Sequence, residues 1–203
     1  MARITSMILV AGLTLAACNQ ASEQRNADAL NAAKNVAENA GDRIENAAEN
    51  AIDALKPTPD AQDFVNLAAR SDAFEIAAAK LASANATSAE VKAFAVQMIK
   101  AHSESTAKIK LAAGRARPAV IPNPDLTAGQ KKDLDELRQK KGAAFDEEYI
   151  DSQVDAHEDA LALMRSYASG GTDAALKAAA GEIAPVVEGH LKMARALESK
   201  TDK

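Results

Sequence analysis

Residues 142–171 read GAAFDEEYIDSQVDAHEDALALMRSYASGG and predict one long helix with glycine at each end. A largely apolar seam recurs in it at intervals of three to five positions, close to the helical period; its members are Phe145, Tyr149, Val154, His157, Leu161, Met164 and Ala168. His157 lies in the middle of this apolar seam. We therefore place this helix at the centre of the fold and expect other helices to cover its seam.

The composition also favours a helical protein. The 203 residues are 47% hydrophobic but only 3% aromatic, and they include no Trp. A core rich in alanine suits close-packed helices better than a sheet, which favours β-branched and aromatic residues. The net charge of −5, together with the few aromatic residues, argues against a nucleic-acid-binding protein.

Three further segments show a helical seam, over residues 60–86, 87–114 and 173–198. The first two are separated by a few residues, so they should pack as antiparallel neighbours. Thr87 and Glu90 have the spacing of a capping box that opens the second helix. Pro185 lies inside the last helix, where a kink is expected.

A long connection separates the first pair of helices from the central one. It contains a loop with Pro118, Pro122 and Pro124, then a short charged helix that Thr127 and Gln130 can cap. The result is an all-α fold with two helical hairpins joined by one long crossover, which is the topology of ferritin-like four-helix bundles. A plain antiparallel up-down bundle is the alternative.

The amino terminus predicts export. Residues 1–17 contain one cation and a short apolar run, the layout of a signal peptide. They end in Leu15-Ala16-Ala17-Cys18, which resembles the bacterial lipobox, and Cys18 is the chain's single cysteine. We expect Cys18 to carry acyl chains that anchor the protein in a membrane. An ordinary signal peptide cut at an Ala-x-Ala site is the alternative.

Residues 18–59 predict a stalk rich in Ala and Asn, either helical or flexible, that ends at Pro57 and Pro59. The expected division is therefore a signal peptide (1–17), a lipid-anchored stalk (18–59) and a four-helix domain (60–200). The location that follows is the periplasmic side of a bacterial envelope. Asn19, where an Asp would favour the inner membrane in enteric bacteria, favours the outer membrane.

An ordered series of motifs resembles the domain of unknown function 4142 family. The motifs are Ser71-Asp72-Ala73-Phe74-Glu75-Ile76, Val91-Lys92-Ala93-Phe94-Ala95, Met98 to His102, Gly142 to Tyr149, Ala156 to Ala160, and His190-Leu191. The resemblance covers about residues 60–198 and implies a ferritin-like fold in an exported bacterial protein, with no particular activity. The family usually reads Asp-His where this chain has Ala101-His102, so one carboxylate is absent from that position.

One group of residues can carry chemistry. His102, His157 and His190 are the only histidines, and each lies near the midpoint of its helix in the apolar seam, as Glu75 does on the first helix. One inward polar side chain per helix is how bundle cores build metal sites, and these ligands suit zinc, iron, copper or manganese. The alternative is a set of core histidines that are hydrogen-bonded to neighbours. Residues counted from the two turns offset Glu75 from His102 by ~6 Å and His157 from His190 by ~10 Å in height. Asp72 lies closer to the height of His102 and Glu182 closer to that of His157, so pairs within each hairpin are as plausible as one four-ligand site.

Three functions follow as hypotheses. The first is a non-enzymatic, lipid-anchored envelope protein that binds a transition metal through Glu75, His102, His157 and His190. The second is a structural module that binds another envelope protein without metal, and the third is a metal-dependent redox enzyme. The di-iron signature Glu-x-x-His is missing before His102 and His190, which argues against ferroxidase chemistry.

Overall fold

The computed structural model describes residues 58–201, which contain five helices and no strand. In chain order the helices are α1 (Ala61–Asn85), α2 (Ala89–Arg115), α3 (Ala128–Gln139), α4 (Ala143–Gly170) and α5 (Ala174–Thr201). The predicted all-α fold is confirmed. The predicted signal peptide, Cys18 and the stalk as far as residue 57 lie outside the described residues.

The four long helices form a ring in the order α1, α2, α5, α4. The two hairpins, α1 with α2 and α4 with α5, make the most extensive contacts, and α1–α4 and α2–α5 close the ring. Each helix is antiparallel to its neighbours in the ring. At one end, Lys200 near the end of α5 pairs with Glu90 at the start of α2, at 2.8 Å.

The crossover returns the chain along the full length of α1. Its loop is tied to α1 by four hydrogen bonds. Gln62 Nε2 donates to Ile121 O at 2.7 Å and Gln62 Oε1 accepts from Ile121 N at 3.4 Å. Asn66 Oδ1 accepts from Asn123 N at 2.9 Å, and Arg70 Nε donates to Asp125 O at 2.9 Å. Helix α3 then runs to the other end of α1. Because of this return, α4 starts beside the end of α1, as the ferritin-like topology requires.

The core combines a few large side chains with many alanines. Phe64 and Tyr167 stack with ring centroids 3.8 Å apart, and Phe145 stacks on Tyr149 at 5.7 Å. Four of the alanines that face the core from α1 are at most 1% exposed: Ala68, Ala78, Ala79 and Ala82. Small side chains let the helix axes approach closely, which brings residues at mid-height within reach of one another.

Asp146 links the two hairpins at one end of the bundle. It is 3% exposed and sits in the first turn of α4. Its Oδ2 accepts from Ser88 N at 2.8 Å, and Oδ1 accepts from Thr87 N at 3.1 Å. The N-cap of α2 is Ser88, whose hydroxyl accepts from Val91 N at 3.3 Å, so the predicted Thr87 capping box is wrong. The Asp146 carboxylate binds the N–H groups of Thr87 and Ser88, which precede the helix.

Replacing Asp146 by asparagine should destabilise the fold by about 2 kcal/mol, because an amide offers only one acceptor and leaves a partly buried N–H without a partner. The control is Glu147→Gln, which makes the same change on the adjacent exposed residue and should alter stability by less than about 0.5 kcal/mol. Urea unfolding followed by circular dichroism measures both. Equal stability of the two variants would show that Asp146 does not hold the hairpins together.

Other predicted caps are confirmed or refined. Thr127 and Gln130 form a complete capping box at the start of α3, as predicted. Gly142 precedes α4 with φ of 63°, a left-handed conformation that glycine adopts without strain, and its N–H donates to Asn85 O at 2.8 Å. Among the helices of residues 58–201, none is long and apolar enough to cross a membrane.

Candidate metal centre

Three helices bring the three histidines together in the core. His102 on α2, His157 on α4 and His190 on α5 are 4%, 1% and 5% exposed. One ligand atom of each ring lies within 4.8 Å of those of the other two. The ring centroids are 5.4 Å apart for His102–His157, 5.6 Å for His157–His190 and 6.0 Å for His102–His190.

The hydrogen bond of His157 fixes its tautomer. Its Nδ1 lies 2.7 Å from the backbone carbonyl oxygen of Gln153, one turn earlier on α4. A carbonyl oxygen can only accept, so Nδ1 carries the proton and donates. Nε2 of the neutral ring therefore has a lone pair, which is the form that binds a metal.

His102 is held in the same tautomer by a carboxylate. Its Nδ1 donates to Asp72 Oδ1 at 2.9 Å, and the other oxygen, Oδ2, accepts from Thr106 Oγ1 at 2.9 Å. Asp72 is 4% exposed and lies on α1. Metal-binding histidines usually donate their second N–H to such a partner, so this geometry presents Nε2 as the ligand atom.

Several ring nitrogens in the cluster are buried without a hydrogen-bond partner. They are Nε2 of His102, Nε2 of His157 and Nδ1 of His190. A buried polar atom without a partner typically costs 1–3 kcal/mol, so three in one place call for an explanation. A bound metal ion would satisfy all three at once.

The spacing fits a first-row metal. With metal–nitrogen bonds of ~2.0–2.1 Å, three nitrogens around one ion stand ~3.5 Å apart. The nitrogens here are at most 4.8 Å apart, so each would move inward by less than ~1 Å to reach that geometry. Small rotations of the rings would be enough.

Burial and charge set the protonation of the cluster. Burial, and then the charge of His102, lower the pKa of His157 to about 3; the same two causes lower the pKa of His190 to about 4. Both rings are therefore neutral at neutral pH. Burial also opposes charge on His102, but the hydrogen bond to Asp72 and the charges of Glu75 and Asp72 outweigh it and raise its pKa.

Glu75, the fourth predicted ligand, is not part of the three-histidine cluster. It is 1% exposed, and its Oε2 accepts a hydrogen bond from Gln153 Nε2, while its Oε1 has no partner. Burial raises the pKa of Glu75 to about 7, although the nearby charge of His102 lowers it in part. The Glu75 carboxylate thus influences the pKa of His102 through its charge but does not belong to the three-histidine cluster.

Sequence reasoning found one of the three supporting residues. It placed Asp72 close to the height of His102, and it left Thr106 and Gln153 unassigned. Asp72 is 13 residues from the end of α1 and His102 is 13 residues from the start of α2.

A separate groove of about 880 Å³ lies between α1, α3 and α4. Its lining includes the apolar residues Leu67 and Phe74. It also includes six acidic residues: Asp133, Glu136, Glu148, Asp151, Asp155 and Asp159. None of the three histidines lines it. The histidine cluster is therefore enclosed by the bundle and is not part of the wall of this groove.

Two solved structures share this fold. One is described as CopM in the Cu(II)-bound form; it is 17% identical, covers 71% of this chain and 99% of its own, and has a TM-score of 0.61. The other, CopM in the Cu(I)-bound form, is 16% identical, covers 70% and 97%, and has a TM-score of 0.58. At this identity the likeness shows a common fold. The comparison with curated proteins gave no match.

A family model described as a domain of unknown function, DUF4142, matches residues 45–197. The match confirms the resemblance read from the motifs, and it starts earlier, within the segment predicted as the stalk. This range includes Asp72, Glu75 and all three histidines of the cluster. The chain belongs to the DUF4142 family.

Proposed function

We propose that this protein binds one copper ion per chain in the core of its bundle, through His102, His157 and His190. The observation that carries the proposal is the set of three buried ring nitrogens without partners, one from each of three helices. Two of them are held in the metal-binding tautomer by acceptors at Nδ1. The protein would store or transfer the ion rather than turn over a substrate, because the rings are at most 5% exposed.

Two arguments favour copper over zinc, iron and manganese. Nitrogen sites bind divalent copper more tightly than the other first-row divalent ions. The two solved structures of the same fold are of a protein with Cu(II) and with Cu(I) bound. Glu75 would provide negative charge beside the ion and a fourth ligand position, since its Oε1 has no partner.

Titration of the purified full chain tests this function. Cu(II), and Cu(I) under nitrogen, would be added in competition with a chromophoric chelator, and zinc would be added in a parallel series. We expect saturation at one copper ion per chain and an increase in the thermal unfolding temperature, because a ligand that binds only the folded state stabilises it. Absence of copper binding, with zinc also unbound, would instead favour the metal-free interaction module.

We further propose that the chain is exported and becomes a lipid-anchored envelope protein. A signal peptide (1–17) is removed, which leaves a stalk (18–59) and the helical domain (60–200). The support is the lipobox-like sequence that ends in Cys18. Two or three acyl chains hold a protein on a membrane stably where one does not. The acidic composition argues against attachment through anionic lipid headgroups.

Replacing Cys18 by serine should release the protein from the membrane, because the acylated thiol is removed. Detergent phase partitioning, with mass spectrometry of the amino-terminal peptide, measures the change. A second variant, Asn19→Asp, should keep the acyl chains and move the protein from the outer to the inner membrane of an enteric host. An unmodified Cys18, or a Cys18→Ser variant that stays in the membrane fraction, would contradict the anchor.

A further inference from the structure

We propose that Asp72 and Thr106 form a positioning pair. The pair orients His102 Nε2 towards the three-histidine cluster and makes the site favour Cu(II) over Cu(I). The inference rests on the proposed function, since it concerns the ion that the three histidines hold. It assigns to two residues outside the ligand set the choice between oxidation states.

The contacts of Asp72 fix it from both sides. One oxygen accepts from His102 Nδ1 and the other from Thr106 Oγ1, each at 2.9 Å. His102 and Thr106 are four residues apart on α2 and so lie on the same face of that helix, while Asp72 comes from α1. The carboxylate therefore spans the α1–α2 interface in one defined orientation, and it sets the direction of Nε2.

The three rings differ in what their Nδ1 atoms meet. His102 Nδ1 faces a carboxylate and His157 Nδ1 faces a neutral backbone carbonyl, whereas in His190 Nδ1 is itself the nitrogen without a partner and would be the ligand atom. A carboxylate at the far nitrogen increases the donor strength of the ligating nitrogen. Its negative charge, buried at 4% exposure, also attracts a doubly charged ion more strongly than a singly charged one. His102 is therefore the ring that discriminates between Cu(II) and Cu(I).

Asp72→Asn is the decisive variant, made in the full chain. Asparagine has the same shape, and its oxygen can still accept from His102 Nδ1, but it has no charge. We expect Cu(II) affinity to fall by about 10- to 100-fold and Cu(I) affinity to change much less. A tenfold change in the ratio of the two affinities corresponds to a rise of ~59 mV in the reduction potential, which voltammetry measures independently.

Asp155→Asn is the matched control, because Asp155 lies on α4 two residues from His157 but is exposed. It removes the same charge and should leave the affinity ratio unchanged. Thr106→Val should weaken Cu(II) binding more than Cu(I) binding, in the same direction as Asp72→Asn but by less, because the carboxylate charge is held less firmly beside His102. Thr106→Ser, which restores the hydroxyl, should restore the affinity.

The outcomes separate the two levels of the proposal. If the unmodified protein binds neither ion, the proposed function and this inference both fail. If it binds copper and Asp72→Asn leaves the affinity ratio within twofold, the inference alone is overturned. Failure of Thr106→Ser to recover what Thr106→Val loses also overturns it. Since Thr106 is only partly buried, this second pair carries the test if Asp72→Asn does not fold.

Discussion

Replacement of His157 by glutamine should weaken copper binding by more than about 100-fold, because changes to outer-shell partners alone already weaken metal binding by 10- to 100-fold. His157 is the most buried of the three rings, at 1% exposure, and its free Nε2 has no other partner. Glutamine is close in size and cannot supply an imidazole nitrogen. Competition with a chromophoric chelator measures the loss.

His190→Gln should show a loss of the same order, because each ring supplies one of three nitrogens. The control is Glu182→Gln, since Glu182 is exposed and pairs with Lys108 at 2.7 Å. Circular dichroism should show all three variants to be helical at 25 °C. Copper affinity within twofold of the unmodified protein in both histidine variants would place the ion elsewhere in the chain.

Glu75→Gln should stabilise the metal-free protein at high pH. Burial raises the pKa of Glu75 from 4.5 to about 7 in the folded state, so the unfolded chain loses this proton at a lower pH than the folded protein does. The contribution of Glu75 to stability is full below pH 4.5 and is lost as the pH rises through 7. A pKa difference of this size is worth about 3 kcal/mol.

The variant has no such loss, since an amide does not ionise. The stability difference between Glu75→Gln and the unmodified protein should grow by about 2–3 kcal/mol, in favour of the variant, between pH 5 and pH 9. Urea unfolding at both pH values, with a chelator present, measures it. Glu104→Gln, an exposed control, should give no pH-dependent difference. A pH-independent difference for Glu75→Gln would show that the carboxyl is not buried.

A residue that destabilises the apo-protein in this way is expected at a functional centre. Glu75 Oε1 and the three free ring nitrogens are all buried polar atoms without partners, and each disfavours folding. Apolar side chains of similar size would stabilise the bundle. The presence of these partnerless polar atoms in one region of the core is therefore better explained by a bound ion than by packing.

The fold was predictable from sequence because several local signals agree. Apolar seams with helical spacing, a complete capping box at Thr127 and proline in the crossover all point to the same four long helices. The error at Thr87 has a specific cause. The capping hydroxyl belongs to Ser88, the next residue. Asp146 of the other hairpin holds the N–H groups of Thr87 and Ser88, and local spacing carries no information about that contact.

The site was predictable in part. The apolar seam identified the three histidines because each is an isolated polar residue on a buried face. Counting the helical rise from an assumed turn, however, placed His157 and His190 ~10 Å apart in height, because it treated residues 171–173 as helix. Helix α5 begins at Ala174. His157 is therefore 13 residues from the end of α4 and His190 is 16 residues from the start of α5, which reduces the offset to ~4.5 Å.

Sequence ranked the two carboxylates by height, with Asp72 closer to His102, but it did not settle which of them contacts the ring. Asp72 and Glu75 are three residues apart and both are buried, so both fit an inward face of α1. Which one reaches His102 depends on the relative height of α1 and α2, which is set by the length of their turn. The structure assigns the contact to Asp72 and leaves Glu75 beside Gln153.

X-ray absorption at the copper edge of the loaded full chain tests the central claim most directly. We expect one copper ion per chain with about three nitrogen ligands at ~2.0 Å and the outer-shell scattering typical of imidazole rings. Removal of one ring in His157→Gln should reduce that scattering. A spectrum with oxygen ligands only, or one that is unchanged when all three histidines are replaced by glutamine, would contradict a copper site in the core.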